Sequence, residues 1–258
     1  MGRMVVELTG STGVGKSTLA ARLLERLAER GVRAIASDQF VCQCYGLRLQ
    51  WVRWPVVMSV IVDVLTAPWC LLFLLRQPGL CWLLIRIAWR DLESPLFRLN
   101  VLRNIAKRLG THEMLARHRT GDEVVLVDEG LVHQAHSLFV HPSAEPRPDE
   151  LARFVGEIPM PDLLVLVEGP TCELVERTLR RGHPRLSDGR IAQVRPFIER
   201  AQTVLRRVAR MAAERTDTTV VLNAGTGEAG RDAALDDLLR ALEQERQMFP
   251  VSRCEAQA

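Results

Sequence analysis

The 258-residue chain has no Cys-x-x-Cys pair and no Cys/His array at zinc spacing. Its six cysteines, Cys42, Cys44, Cys70, Cys81, Cys172 and Cys254, are scattered, which excludes a zinc ribbon or finger and reads as reduced thiols. It also lacks a strong charge of one sign. With 34 Lys and Arg against 31 Asp and Glu the net charge is +3, too little to mark a nucleic-acid-binding protein, so no nucleic-acid partner is expected. The N-terminus has no basic stretch leading into an apolar core of signal-peptide type, and a strand starts already at Met4. A cytoplasmic location is therefore expected. No internal repeat and no long low-complexity run is present. The length fits one large domain, or one domain carrying an insertion.

What is present begins with Gly10-Ser11-Thr12-Gly13-Val14-Gly15-Lys16-Ser17, followed by Thr18. Met4 to Leu8 is a short apolar run ahead of it, and Lys16 to Arg30 has helical periodicity through Leu19, Leu23, Leu24 and Leu27. Strand, glycine loop and helix in that order form a P-loop. Its glycines let backbone N–H groups turn inward around phosphates, and the helix N-terminus adds a favourable dipole. Lys16 is placed to reach the β and γ phosphates, and the Ser17 hydroxyl to sit on Mg²⁺. ATP and Mg²⁺ are the expected cofactors, since no NKxD-type base-recognition motif for GTP follows a strand.

Further apolar runs read as strands: Val32 to Ser37, Val124 to Val127, Leu163 to Val167 and Thr219 to Leu222. The last three are continuous rather than alternating, as suits a parallel sheet buried on both faces. Helical patterns over Cys172 to Arg181, Ile191 to Ala213 and Arg231 to Gln247 separate them. The alternation predicts an α/β, three-layer P-loop NTPase fold over residues 1–258, with His141 to Pro148 as an exposed Pro-rich loop.

Three groups of side chains are candidates for the chemistry. Asp128 and Glu129 close a buried strand, where a Walker-type site places a carboxylate on the magnesium side. Asp128 is the choice for the metal, with Glu129 sharing that work or orienting a water. Asp38, at the end of the second strand, is placed to take or hold the proton of an acceptor hydroxyl, or else to cap the following helix. Arg177, Arg180, Arg181, Arg185 and Arg190 crowd around Gly182-His183-Pro184. They make residues 176–190 a candidate lid, because arginine forks neutralise a phosphoryl group in transfer. The competing reading is the solvated end of an amphipathic helix.

Together these segments resemble the P-loop kinases of the thymidylate kinase and deoxynucleoside kinase group. Asp128-Glu129-Gly130-Leu131-Val132-His133-Gln134 is similar to their acidic-arginine signature after the third strand, with Glu129 in the place of the arginine. Glu173 to Gly182 resembles their lid approach and Phe197 to Ala201 the helix after it. Asn223-Ala224-Gly225 resembles the loop that touches adenine. The resemblance covers residues 4 to 40, 123 to 137 and 163 to 245. It implies a five-stranded parallel sheet, ATP-dependent phosphoryl transfer, and a nucleoside or nucleoside monophosphate as one candidate acceptor.

Residues 41–110 stand apart as a helical, basic insertion. All five tryptophans (Trp51, Trp54, Trp69, Trp82, Trp89) lie within 51–90. Val56 to Leu75 and Leu80 to Trp89 are apolar, broken by Arg76-Gln77-Pro78-Gly79, and read as an inserted apolar helical hairpin. Residues 41–108 hold nine basic side chains against three acidic ones, an excess of six. Three readings are open: a membrane span, an interfacial hairpin at the inner face of the membrane, and a buried helical pair lining an acceptor pocket. The expected partners are a small-molecule or lipid-linked acceptor, the membrane surface through residues 51–90, and a second copy of the chain in a homodimer. A nucleotide-dependent switch or assembly NTPase is the alternative of another class. Lys16→Ala is expected to abolish nucleotide binding with the fold intact, as a surface lysine contributes little to a core. A nucleotide titration showing a loss no greater than that of a distant surface variant would refute the site.

Overall fold

The computed structural model describes residues 3–47, 55–92, 94–118, 120–141, 146–182, 191–216, 219–223 and 227–248. Arg185, Ala224, Gly225, Trp51 and Trp54 lie outside the described residues. Five parallel strands, β1 (Met4–Gly10), β2 (Ala34–Ala36), β3 (Val124–Asp128), β4 (Leu163–Glu168) and β5 (Thr219–Asn223), form one sheet in the order β2-β3-β1-β4-β5. Val6, Leu8, Val125, Leu163 and Val165 are fully buried. Helices cover both faces of the sheet, and the continuous apolar runs are the sequence trace of that double covering.

The predicted helices form close to their expected bounds: α1 (Lys16–Glu29), α8 (Thr171–Arg181), α9 (Ile191–Ala213) and α10 (Gly227–Met248). The second strand is shorter than predicted. The chain turns helical at Ser37, so that Asp38 lies in the first turn of α2 (Ser37–Cys44) rather than at a strand end. Pro148 opens α7 (Pro148–Glu157) instead of closing a loop, as proline does at a first helical turn. A short helix, α6 (Gln134–Phe139), follows β3.

The insertion forms α3 (Pro55–Arg76) and α4 (Pro78–Asp91), joined through Gln77, and adds a third helix, α5 (Pro95–Arg117). Ser94 caps α5 by accepting from the Phe97 N–H, with Pro95 at its first position. That Ser-Pro pair is the signal in the sequence that could have found it. α3 packs chiefly on α5, burying Val62, Thr66 and Phe73. Arginines of the basic excess are paired within the fold: Arg76 with Glu113, Arg86 and Arg90 with Glu150, and Arg103 with Asp63. Trp69 is half-buried and donates to Tyr45 Oη at 2.9 Å, so it belongs to the packed side of α3.

Gly110 is the closest approach of α5 to α3. A Cβ built there lies 2.3 Å from the Thr66 carbonyl oxygen. Glycine to alanine inside a helix ordinarily stabilises by about 1 kcal/mol. Gly110→Ala is expected to do the reverse, costing about 1–3 kcal/mol through overpacking. Urea unfolding reads the sign, and a stabilised variant would show that the two helices are not in contact here.

Candidate active site

The parallel sheet lines up its functional segments along one edge. β1 runs between β3 and β4, with Leu8 opposite Asp128 and Gly10 opposite Val167. The P-loop and Asp128 therefore leave neighbouring strands side by side, and the Ser17 hydroxyl donates to Asp128 Oδ2 at 2.7 Å. Two glycines of the loop are there for conformation and space. Gly13 has φ 81°, the left-handed region that side chains disfavour. At Gly10 a Cβ would stand 2.5 Å from the Val167 carbonyl oxygen. Val14 turns its side chain into the core, leaving its backbone to serve the loop.

Lys16 is buried, with 6 % exposure, which corrects its expected place at the surface. Its ammonium donates to the Gly10 and Ser11 carbonyls at 3.0 and 3.4 Å and lies 3.3 Å from Glu129 Oε1. The side chain folds back over its own loop, so the loop and Glu129 hold the charge that a phosphate would otherwise face.

Glu129 has φ 61°, a left-handed conformation that costs a non-glycine residue on the order of 1–2 kcal/mol. The turn aims its carboxylate at Lys16 and at His133 Nε2, 3.5 Å away. Burial, with the nearby Lys16 and Arg108 charges, pushes the His133 pKa well below its ordinary range. The ring is therefore neutral. Its Nδ1 lies 3.1 Å from Thr9 Oγ1. With Thr9 as donor, the ring proton sits on Nε2, facing Glu129. Beneath this loop Glu7 Oε1 accepts from the His133 N–H at 2.8 Å. Gly130 has room for no side chain, as a Cβ there lies 2.3 Å from Glu7 Oε2.

Asp128 Oδ1 is buried and has no protein partner. Burial pushes the Asp128 carboxyl above the usual range, the Ser17 hydrogen bond pulls it back, and Glu129 adds to the rise. An unpaired carboxylate oxygen next to a hydroxyl suits a hard divalent cation that takes its remaining ligands from water and phosphate. Among the described residues no cluster of three His, Cys, Asp or Glu makes an all-protein metal cage.

Above the loop a cavity of about 520 Å³ is lined by Thr12, Gly13, Gly15, Lys16, Ser17, Thr18, Glu129, Arg177, Arg180 and Arg181. Arg177 donates to the Gly13 carbonyl at 3.2 Å and to Glu173 at 2.6 Å. Arg180 pairs with Glu176 on the exposed side of α8. The lid segment beyond Gly182, including Arg185, lies outside the described residues, as do Ala224 and Gly225 after Asn223.

Asp38 is tied to α5. Lys107 donates to its Oδ2 at 3.0 Å, and Arg108 Nη1 stands 3.7 Å from Oδ1. Both cations come from α5, and in the linear sequence they stand out only as part of a basic excess. Arg108 also acts electrostatically on Glu7, Asp128 and His133. It supplies positive charge beside the acidic pair Asp128 and Glu129.

No protein-family model and no curated protein matches the chain by sequence. Solved structures do match its fold. A deoxyadenosine kinase from M. mycoides with bound dCTP superposes with TM-score 0.51 at 12 % identity, covering 93 % of this chain and 100 % of that one. The same enzyme with dCMP and dCDP gives TM-score 0.52 at 13 % identity, with 93 % and 100 % covered. Thymidylate kinase from Candida albicans gives 0.53 at 11 % identity, covering 95 % and 93 %. This is the P-loop kinase fold. The likeness reported from the motifs thus holds for the architecture, including a five-stranded parallel sheet.

In this P-loop kinase fold the middle residue of the central strand, Glu7, is a buried carboxyl. Burial raises the Glu7 carboxyl from its ordinary 4.5 to about 7, against the lowering effect of the His133 N–H and Arg108. The folded state then holds more protons than the unfolded state between pH 4.5 and about 7. The stability contributed by this group is present below 4.5 and lost as pH rises through about 7. Glu7→Gln is expected to remove that loss. Relative to wild type, its unfolding free energy should gain about 2–3 kcal/mol between pH 5 and pH 8. Parallel pH profiles for the two proteins would contradict the assignment.

Proposed function

We propose that the chain catalyses ATP- and Mg²⁺-dependent phosphoryl transfer to a nucleoside or a nucleoside monophosphate. The observation that carries this reading is the single edge on which the P-loop, Asp128 and Asp38 follow one another across β1, β3 and the end of β2. The cavity over the P-loop, with arginines of α8 in its wall, is the donor side in this reading, and Asp38, after β2 on the same edge of the sheet, is the acceptor-side carboxylate. The fold neighbours are kinases crystallised with deoxynucleotides or described by their deoxynucleotide substrates, which favours that acceptor class over a lipid-linked one.

In this reading Lys16 releases Glu129 and the loop carbonyls to bind the β and γ phosphates. Ser17 and Asp128 would hold a Mg²⁺, whose charge would offset that of the phosphates. Arg177 and Arg181 stabilise the transferring group, and Arg185 joins them if residues 176–190 close as a lid. Backbone groups of Gly10 to Gly15 cradle the phosphates, with Thr18 beside them and Asn223, Ala224 and Gly225 near the base. Asp38 accepts the acceptor's proton, and Lys107 orients it by donating to Oδ2 at 3.0 Å.

Incubation with γ-labelled ATP, Mg²⁺ and a panel of nucleosides and nucleoside monophosphates tests the proposal. Label on one of these acceptors is the expected result. Free phosphate alone, at a rate indifferent to every acceptor, would replace it with a nucleotide-dependent switch. Asp38→Asn is expected to lower kcat by about 10²–10⁴-fold with little change in the KM for ATP. A kcat within twofold of wild type would remove Asp38 from the chemistry.

A further inference from the structure

α3 is apolar around its whole circumference but is covered on only one side. Helices of that composition occur in the interior of proteins or against lipid. Its inner face holds Val62, Thr66 and Phe73 against α5, while Val56, Val60, Val64, Ala67, Pro68, Leu71 and Leu75 repeat along the outer face at spacings of three and four residues. The stripe runs the length of a 22-residue helix, about 33 Å. Val60 and Val64 are 52 % and 66 % exposed. Only 17 % of the most apolar window of this helix is buried. No charge interrupts the stripe: Asp63 is drawn sideways to Arg103 of α5, and Arg76 to Glu113. α4, which follows α3 through Gln77, also exposes large apolar side chains, Trp82 and Trp89 at 67 % and 64 %.

We infer that this outer face of α3 and α4 rests on an anionic phospholipid bilayer, lying in the interface rather than spanning it. Spanning would strip α3 from α5, where Thr66 and Gly110 are in backbone contact and Asp63 is ion-paired. Lying flat keeps those contacts and buries only the bare stripe. Tryptophan favours the headgroup level, and the exposed tryptophans of α4 have cations nearby: Arg98 stacks over Trp89 at 4.6 Å, and Arg86 is half-exposed on the same helix.

Charge chooses between lipid and a second copy of the chain. Apart from Lys107 and Arg108, which Asp38 holds at the sheet edge, α3, α4 and α5 carry six arginines against Asp63, Asp91 and Glu113, and Glu150 of α7 pairs with two of the six, which leaves an excess of two. Each of those three carboxylates is already held by an arginine, Asp63 by Arg103, Asp91 by Arg90 and Glu113 by Arg76. A two-fold dimer would set this basic rim against itself, whereas anionic headgroups complement it. The inference does not depend on the proposed acceptor, because the face lies outside the phosphate cavity and its variants leave that cavity intact.

The test is co-sedimentation of the full-length protein with vesicles of equal phosphatidylglycerol and phosphatidylcholine, and with phosphatidylcholine alone. Wild type is expected to pellet with the anionic vesicles and to be released by 0.5 M salt, a value of roughly several times the physiological ionic strength. Val60→Glu/Val64→Glu is expected to lower partitioning at least about tenfold, with an unchanged circular dichroism spectrum and unchanged phosphoryl transfer. Trp82→Ala/Trp89→Ala, which removes only exposed rings, is expected to act in the same direction and decides the matter if the glutamate pair misfolds. Wild type remaining in the supernatant with both vesicle types, or both variants pelleting like wild type, would overturn the inference. So would a wild-type dimer in analytical ultracentrifugation that the glutamate pair dissociates while vesicles are ignored, since the face would then be a self-interface.

Discussion

The pairing of β1 with β3 and β4 is the constraint on which the site rests. Parallel register places Leu8 beside Asp128 and Gly10 beside Val167. From that alignment follow the 2.7 Å contact of Ser17 with Asp128 and the backbone approach that leaves no room for a side chain at Gly10. Because strands of a parallel sheet all end on the same edge, the P-loop, the acidic pair and Asp38 come to one side of the sheet without any further device.

Below that edge lies a second layer of polar groups that the chemistry itself does not touch. Glu7, Thr9 and His133 are buried, and they connect the central strand to the loop after β3. A carboxyl in that position is costly when ionised, yet it accepts the backbone N–H of His133 and packs flat on Gly130. The loop is thereby pinned in a conformation that holds Glu129 at φ 61°. Strain at Glu129 and burial at Glu7 are two sides of one arrangement: the strand underwrites the shape of the turn that carries the acidic pair.

Positive charge is distributed in an order that linear sequence conceals. Lys107 and Arg108 point to the sheet edge, where they meet Asp38, and Arg76 and Arg103 lock α3 onto α5. Arg86 and Arg90 tie α4 to Glu150 of α7. The excess of basic residues in this stretch thus serves first to fasten the insertion to the α/β body. Only its outer remainder frames the apolar face of α3 and α4.

The sequence by itself determined the P-loop, the parallel strands and the main helices, because glycine spacing and uninterrupted apolar runs are local consequences of phosphate-loop geometry and of burial on both faces. It also carried the likeness to nucleoside and nucleotide kinases, on Asp128, Glu129 and the arginines of α8. It did not reveal α5, whose apolar residues are spread around its axis instead of forming one stripe, nor the helical start at Ser37 that moves Asp38 off a strand end. Only the tertiary structure decided that Lys107 and Arg108 serve Asp38, that Lys16 is buried against its own loop, that Trp69 faces inward, and that Trp82 and Trp89 face outward. Each of these depends on which helix lies opposite, across sixty residues or more in some cases, and contacts at such separation leave no periodic mark in the chain.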